Sequence, residues 1–421
     1  MLLTNYDAAI ADFQRMCQMA RASGNMGKEG ESLGHLADVH WLAFSEAHVP
    51  LIEQHGQEAL RLARQTGDQK TMARSLIGLG SVDQVRGNLP EADQKFIEAL
   101  RISRREGYQD SLAHALVFLC MQASLQGNFQ EAMQLGQEGV VISRAIHDGF
   151  TELRTLAFLC QASWSAGYYA QALTMLHEGM ATAKERQNTF FVGRLTNTLG
   201  WFSREFGAVS RAVELDHESV ELGRAARIAN VEISALINLG FDYLALGQPE
   251  RALVSLKPTL ERVQHEAFGV HRWRWRMRLL IGLAEVHYAM GAQELALRAV
   301  EEGLEQAQAT GSQKYVANAW ALRGKILLAL GRREAGGRAL RRAFRLVERL
   351  HSPSLIYPIA YDLGQWFEMT GNERRATALY GKAKATIEHM LAAVEDPAWE
   401  ASFRQSGPVQ TILACAARAG A

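Results

Sequence analysis

Apolar, small and polar positions recur along this chain at a fixed period. The segments GNLPEADQKFIEAL from Gly87, GNFQEAMQLGQEGV from Gly127, GYYAQALTMLHEGM from Gly167 and GAVSRAVELDHESV from Gly207 align without a gap, which sets a 40-residue repeat. The glycine returns at Gly247, Gly291, Gly331 and Gly371, with the single interval before Gly291 longer by four positions. Extrapolated backwards, the register reaches Ala47 and then, with three residues inserted, Thr4. Each period holds two amphipathic segments, and about nineteen repeat helices plus a C-terminal cap are predicted.

Small residues mark where the two segments must meet. Ala stands five residues after the anchor at 9, 92, 132, 172, 212, 252, 296 and 376, with Ile52 and Gly336 as exceptions. Seven residues before the anchor come Gly80, Cys120, Cys160, Gly200, Gly240, Ala284, Gly324 and Gly364, each preceded by Leu except at Arg323. Two helices cross closely only if small side chains line the contact. The anchor glycine suits the left-handed close of the first helix, A. Pro50, Pro90 and Pro249 then open the second helix, B, where a missing N–H costs nothing.

This pattern resembles the tetratricopeptide repeat family over residues 4–393. It is a long variant, with a period of about 40 residues where about 34 are usual. The variant is similar to the sensor region of the maltose activator MalT, to kinesin light chain, and to the tails of bacterial ATPase–cyclase proteins. The resemblance implies an all-α solenoid, a right-handed superhelix of nine to ten helix pairs with the A helices on its concave face. It implies binding of a peptide, a protein or a small effector in the groove, without catalysis and without a cofactor or metal. The whole chain, 1–421, is expected to be one solenoid: incomplete first repeats to 46, regular repeats over 47–393, and a capping helix over 394–421. Only MLL precedes the first B helix, so a sister domain is expected on its N-terminal side. In the repeat with the longer interval, Pro258 should kink or interrupt helix B. The extra residues near HEAFGVHRWRWRMR should change the superhelical curvature, unless they form an ordinary loop insertion.

Composition narrows the function further. Lys plus Arg and Asp plus Glu are both 45, which argues against a general polyanion binder. Four cysteines without a short spacing argue against a disulfide framework or structural zinc, and place the chain in a reducing, cytoplasmic setting. Cys120 and Cys160 fill the small-residue position, so packing explains them. The longest stretch without Asp, Glu, Lys or Arg, 155–177, contains a repeat turn, so no membrane span is expected. Gly30-Glu31-Ser32-Leu33-Gly34 fits the nucleophile-elbow pattern G-x-S-x-G but lacks the preceding strand that the motif requires.

In the resembling family, positions 13, 10, 6 and 3 before the anchor face the groove. Here they place Arg74, His114, Arg154, Arg194 and Arg278 in one column, with Trp164, Trp201, Arg204 and Tyr288 beside it and Arg274 one turn further along. Guanidinium groups between indoles suit an acidic peptide, a phosphate-bearing ligand or a sugar face. The competing reading pairs these arginines with acids on neighbouring helices and packs Trp164 and Trp201 between repeats. The seven arginines from Arg332 to Arg349 fall on a B helix, as a solvated face or a docking surface for a sister domain. The leading functional reading is the C-terminal sensor part of a bacterial signalling or transcriptional regulator. A stand-alone assembly scaffold is the alternative, and RNA binding through the Arg/Trp segment 272–278 is a weaker one.

Overall fold

The structure, a computed structural model, describes residues 6–42, 46–265 and 272–419. Every regular element among the described residues is helical. The chain begins with α1 (Tyr6–Ala22), α2 (Met26–Leu42), α3 (Val49–Thr66), α4 (Gln69–Arg86), α5 (Leu89–Glu106), α6 (Gln109–Gln126) and α7 (Phe129–Ala145). It continues with α8 (Gly149–Ser165), α9 (Tyr169–Glu185), α10 (Thr189–Glu205), α11 (Val209–Ala225), α12 (Ala229–Ala245), α13 (Pro249–His265) and α14 (Arg272–Ala289). The last are α15 (Gln293–Ala309), α16 (Gln313–Ala329), α17 (Arg333–Leu350), α18 (Pro353–Met369), α19 (Glu373–Ala393), α20 (Pro397–Gln405) and α21 (Gly407–Ala419).

The 40-residue register fixes this order. Each odd-numbered helix from α1 to α19 is a B helix and starts two residues after its anchor. All eight anchor glycines are left-handed, with φ between 69° and 92°. A second left-handed position closes most of the B helices on the same spacing, among them at Gly67, Gly107, His147, Gln187, Arg227, Gly311 and His351. Four of these seven are not glycine, which hides the series from a reading of composition.

The small-residue positions meet what the pattern demanded. A Cβ on Gly80, Gly200, Gly324 or Gly364 would lie 2.6–2.7 Å from Phe96, Asp216, Leu340 or Tyr380, each nine residues after its anchor. Ala92, Ala132, Ala172, Ala212, Ala252 and Ala296 are fully buried. The chain is thus an all-α solenoid of repeated helix pairs.

Two expectations need correction or limits. Pro258 does not interrupt α13, which runs on to His265. The carbonyl that its nitrogen would have met belongs to Val254, an exposed residue. Solvent can therefore reach this turn, where the proline costs one backbone hydrogen bond. The cap is two helices, α20 and α21, where one was expected. The extra residues of the longer repeat fall largely on 266–271, and Thr4 with its preceding MLL on 1–5, outside the described residues.

Close contacts divide the chain into two compact units. The first comprises residues 1–122, 131–158 and 265–273. Its core includes Leu33, Leu36, Ala59 and Leu62 around Cys17, and a stack of Phe96 on Phe118 at 4.8 Å. Trp273 joins this unit by donating its indole N–H to the Gln84 carbonyl at 2.9 Å. The second comprises residues 123–130, 159–264 and 274–421. Its largest aromatic cluster sets Trp164 flat against Phe202 at 3.8 Å, with Tyr169, Phe206 and Trp399 at its edges. At Gly207 a Cβ would lie 2.6 Å from the Ser402 carbonyl, so that glycine admits the C-terminal segment as well as its own φ of 78°.

Candidate binding site on the A helices

The arginine positions all lie on A helices, and their partners decide what each can do. In the first unit Arg74 is spoken for. It bonds His35 at 2.8 Å and meets Asp38 at 3.3 Å and Asp110 at 3.4 Å. His114 pairs with Asp148 at 3.3 Å. Arg154 is buried, with its guanidinium 4.6 Å from the Phe118 ring centre and 5.8 Å from that of Phe150. Burial pushes its pKa down to about 10, against the pull of Asp148. Those three residues answer to the pairing-and-packing alternative.

The second unit holds a denser polar set. Glu205, at the end of α10, accepts the indole N–H groups of Trp164 at 2.8 Å and Trp201 at 2.7 Å. Trp164 has no exposed surface, because α20 and the end of α10 enclose it; it packs between elements and cannot meet a ligand. Trp201 is half-buried, and Lys314 from the start of α16 sits 4.1 Å over its ring. That ammonium lies 3.9 Å from Glu205, and burial lowers its pKa.

Arg204 donates to the buried Asp242 at 2.7 Å and lies over Phe241 at 5.5 Å. Asp216, fully buried, accepts from Asn197 at 2.5 Å and from Asn238 at 3.4 Å. Burial, and after it the Asp242 charge, push the Asp216 carboxyl well above the usual carboxylate range.

Two further arginines of this face have uncharged partners. Arg278 donates to the Asn238 side-chain oxygen at 2.7 Å, and Arg274 lies beside the phenol of Tyr315. Burial alone would raise the Tyr315 pKa, yet Arg278, Arg274 and Lys314 outweigh it and lower it. Three cations thus gather around this phenol. Tyr288 is half-buried with Lys325 5.6 Å over its ring, and Arg194 is half-buried on α10.

Glu205, Asp216, Asn238, Asp242, Lys314 and Tyr315 lie outside the positions singled out from the sequence. Asp216 carried a usable signal, since other repeats place Phe96, Leu176, Leu256, Leu340 or Tyr380 there. Lys314 and Tyr315 carried none, because they reach this face from a helix three repeats further along.

Other candidates resolve simply. Trp273, Trp275 and Met277 are buried, and the Trp275 N–H meets the Ser234 hydroxyl at 3.3 Å. The 272–278 segment therefore offers no indole faces for stacked bases. Ser32 lies inside α2, buried, and donates to the Lys28 carbonyl at 2.8 Å. A helical serine bonded to its own backbone is no nucleophile elbow. Cys120 and Cys160 are fully buried, and burial pushes the Cys160 thiol up to about 12. Among the described residues, no helix is long and apolar enough to cross a membrane, and no group of three His, Cys, Asp or Glu could hold a metal ion.

Comparison with known proteins finds the same architecture. The family described as anaphase-promoting complex subunit 5 matches residues 63–126, 155–227 and 234–326, more than half of the chain. No curated protein matches the sequence. Among solved structures, a Rap protein complexed with competence and sporulation factor has a TM-score of 0.51 at 14% identity, over 72% of this chain and 85% of that one. A signal transduction ATPase with numerous domains and a tetratricopeptide repeat sensor, from Pyrococcus horikoshii, has a TM-score of 0.42 at 14% identity. That match covers 79% of this chain and 52% of the other. A putative kinesin light chain from Podosopora anserina, with nearly identical tetratricopeptide-like repeats, gives 0.33 at 17% identity over 46% of this chain and 93% of that one. The likeness to the Rap protein is one of fold.

Proposed function

The chain belongs to the anaphase-promoting complex subunit 5 family of tetratricopeptide-like repeats, and on that premise we propose that it is a non-catalytic binding domain for an acidic ligand. The site is the A-helix face of the second unit, around Arg274, Arg278, Lys314 and Trp201. The observation that carries this reading is that three cations there are held by an amide oxygen, a phenol and an indole, with Glu205 standing 3.9 Å off the ammonium. A carboxylate or phosphate entering the face gains charge-assisted bonds from groups whose desolvation the fold has already met. Trp201 supplies an apolar plate beside them.

In its finer form the domain is the sensor part of a signalling regulator. Occupancy favours one arrangement of the helix pairs and so biases an attached effector. The Rap protein, which is complexed with competence and sporulation factor, offers a parallel for ligand capture on this fold. The test is binding of a fluorescent glutamate-rich peptide to the full chain and to the double variant Arg274→Gln with Arg278→Gln. Glutamine can still bond Tyr315 and Asn238, so the fold is retained. Affinity should fall on the order of tenfold or more, the usual cost of losing two desolvated charge partners. Unchanged affinity with an intact melt would remove this face as the site.

A further inference from the structure

The B-helix side of the second unit carries a feature that the A-helix reading does not use. Helices α17 and α19 flank a cavity of about 390 Å³ whose floor is Leu363 and Phe367 of α18 and whose wall is Phe344. Arg341, Arg345 and Arg375 stand around it. Two of them are laid over aromatic rings, Arg341 over Trp366 at 4.7 Å and Arg375 over Phe367 at 5.3 Å. A Cβ at Gly337 would overlap the Trp366 ring, so that glycine seats the indole under Arg341. The Trp366 N–H donates to the Arg333 carbonyl at 3.1 Å and fixes the ring plane.

Most of the charges here are in no ion pair among the described residues. Of the seven arginines from Arg332 to Arg349, Arg332 pairs with Glu294 at 3.0 Å, and the other six make no ion pair among the described residues. Nearby acids are committed elsewhere, Glu348 to Lys382 and Glu368 to the Tyr380 hydroxyl, both at 2.6 Å. A chain of zero formal net charge has thus concentrated uncompensated guanidinium forks around an apolar hollow. A merely solvated arginine face needs no such hollow.

We propose that the groove between α17 and α19 is a second binding surface, for an acidic protein segment that inserts one bulky apolar side chain. The cavity has room for such a side chain. Apart from the arginines its lining is hydrocarbon and phenyl ring, with no group to read the edge of a nucleic-acid base. Stacked arginines hold their forks in fixed directions, which suits carboxylates spaced along a peptide. The surface is independent of the A-helix site, because no residue is shared.

The experiment uses the full chain and a fluorescent peptide of glutamates interrupted by one phenylalanine, beside the same peptide with serine in its place. Single-stranded RNA and phosphatidylserine vesicles complete the probe set. The phenylalanine peptide should bind best, with the serine peptide weaker by roughly tenfold for the lost apolar anchor. Arg341→Glu with Arg345→Glu should abolish the preference. Ala378→Trp, at an exposed position on the cavity wall, should do so by filling the hollow without touching a charge, and it keeps the test decisive if the charge reversal unfolds the chain. Arg274→Gln with Arg278→Gln should leave the preference intact. Equal binding of the two peptides, no response to Ala378→Trp, a preference for RNA or vesicles, or no binding to any probe would each overturn the proposal.

Discussion

Phe403, in the first helix after the last repeat, lies 4.8 Å ring to ring from Phe206 at the end of α10. Both side chains are buried, and Trp399 touches the same cluster. Phe403→Ala should therefore cost about 3–5 kcal/mol, the usual range for emptying a buried phenylalanine site. Denaturant unfolding of the full chain measures it. A loss below about 1 kcal/mol, the scale of an ordinary surface change, would mean that α20 is a loosely held tail.

The helix crossings give a second expectation. Ala172 is fully buried where α9 meets its neighbours. Ala172→Leu should overpack the crossing by roughly 1–3 kcal/mol. An unchanged thermal midpoint would contradict the close approach of the two axes.

Gln187 and Arg227 hold φ of 52° and 54°, at places where the sister repeats have Gly67, Gly107 and Gly311. A non-glycine residue in that region costs roughly 1–2 kcal/mol. Gln187→Gly and Arg227→Gly should each stabilise the protein by about 1 kcal/mol, after the larger unfolded-state entropy of glycine is counted. Thermal denaturation of the single and double variants checks both size and additivity.

Acid should weaken the first unit. Burial, with His48 and His55 adding to it, pushes His40 down to about 4, and burial with Arg74 pushes His35 to about 4. Glu31 and Asp110 pull His35 upward and Lys70 pulls it down. An unfolded histidine titrates near 6.5, so between about 6.5 and 4 the unfolded chain binds more protons and stability falls as the pH falls. Asp38 opposes this, because burial raises it to about 6 and its contribution is lost as pH rises through that value. Two histidines against one aspartate leave a net loss on acidification. His40→Asn should flatten the fall in denaturation midpoint between about pH 6.5 and 4.5. Its amide can still meet the His48 ring nitrogen, 3.1 Å from His40 Nδ1.

The repeat was readable because close helix crossings forbid large residues, and a fixed period exposes that ban at Gly80, Gly240 or Ala172. The second left-handed series was not, since His147, Gln187, Arg227 and His351 look like any polar loop residue. The site was readable in part. Arg274 and Arg278 stand on the expected stripe, with neutral partners that local periodicity does not show. Trp164 also stood on that stripe, yet Trp399, far along the chain, helps enclose it. Contacts between repeats distant in sequence leave no mark on a 40-residue pattern.

The docking of the C-terminal segment on Gly207 changes how the second unit can come apart. In a stack where each repeat touches only its neighbours, stability adds up along a line and the ends fray first. Here Pro353 and His389 also stand against Gly167, and Leu350 against Gly127. Opening the end of the chain therefore uncovers the beginning of the unit as well. Hydrogen exchange across α9, α10, α18 and α19 should therefore follow one cooperative opening, and a gradient from the terminus inwards would contradict it.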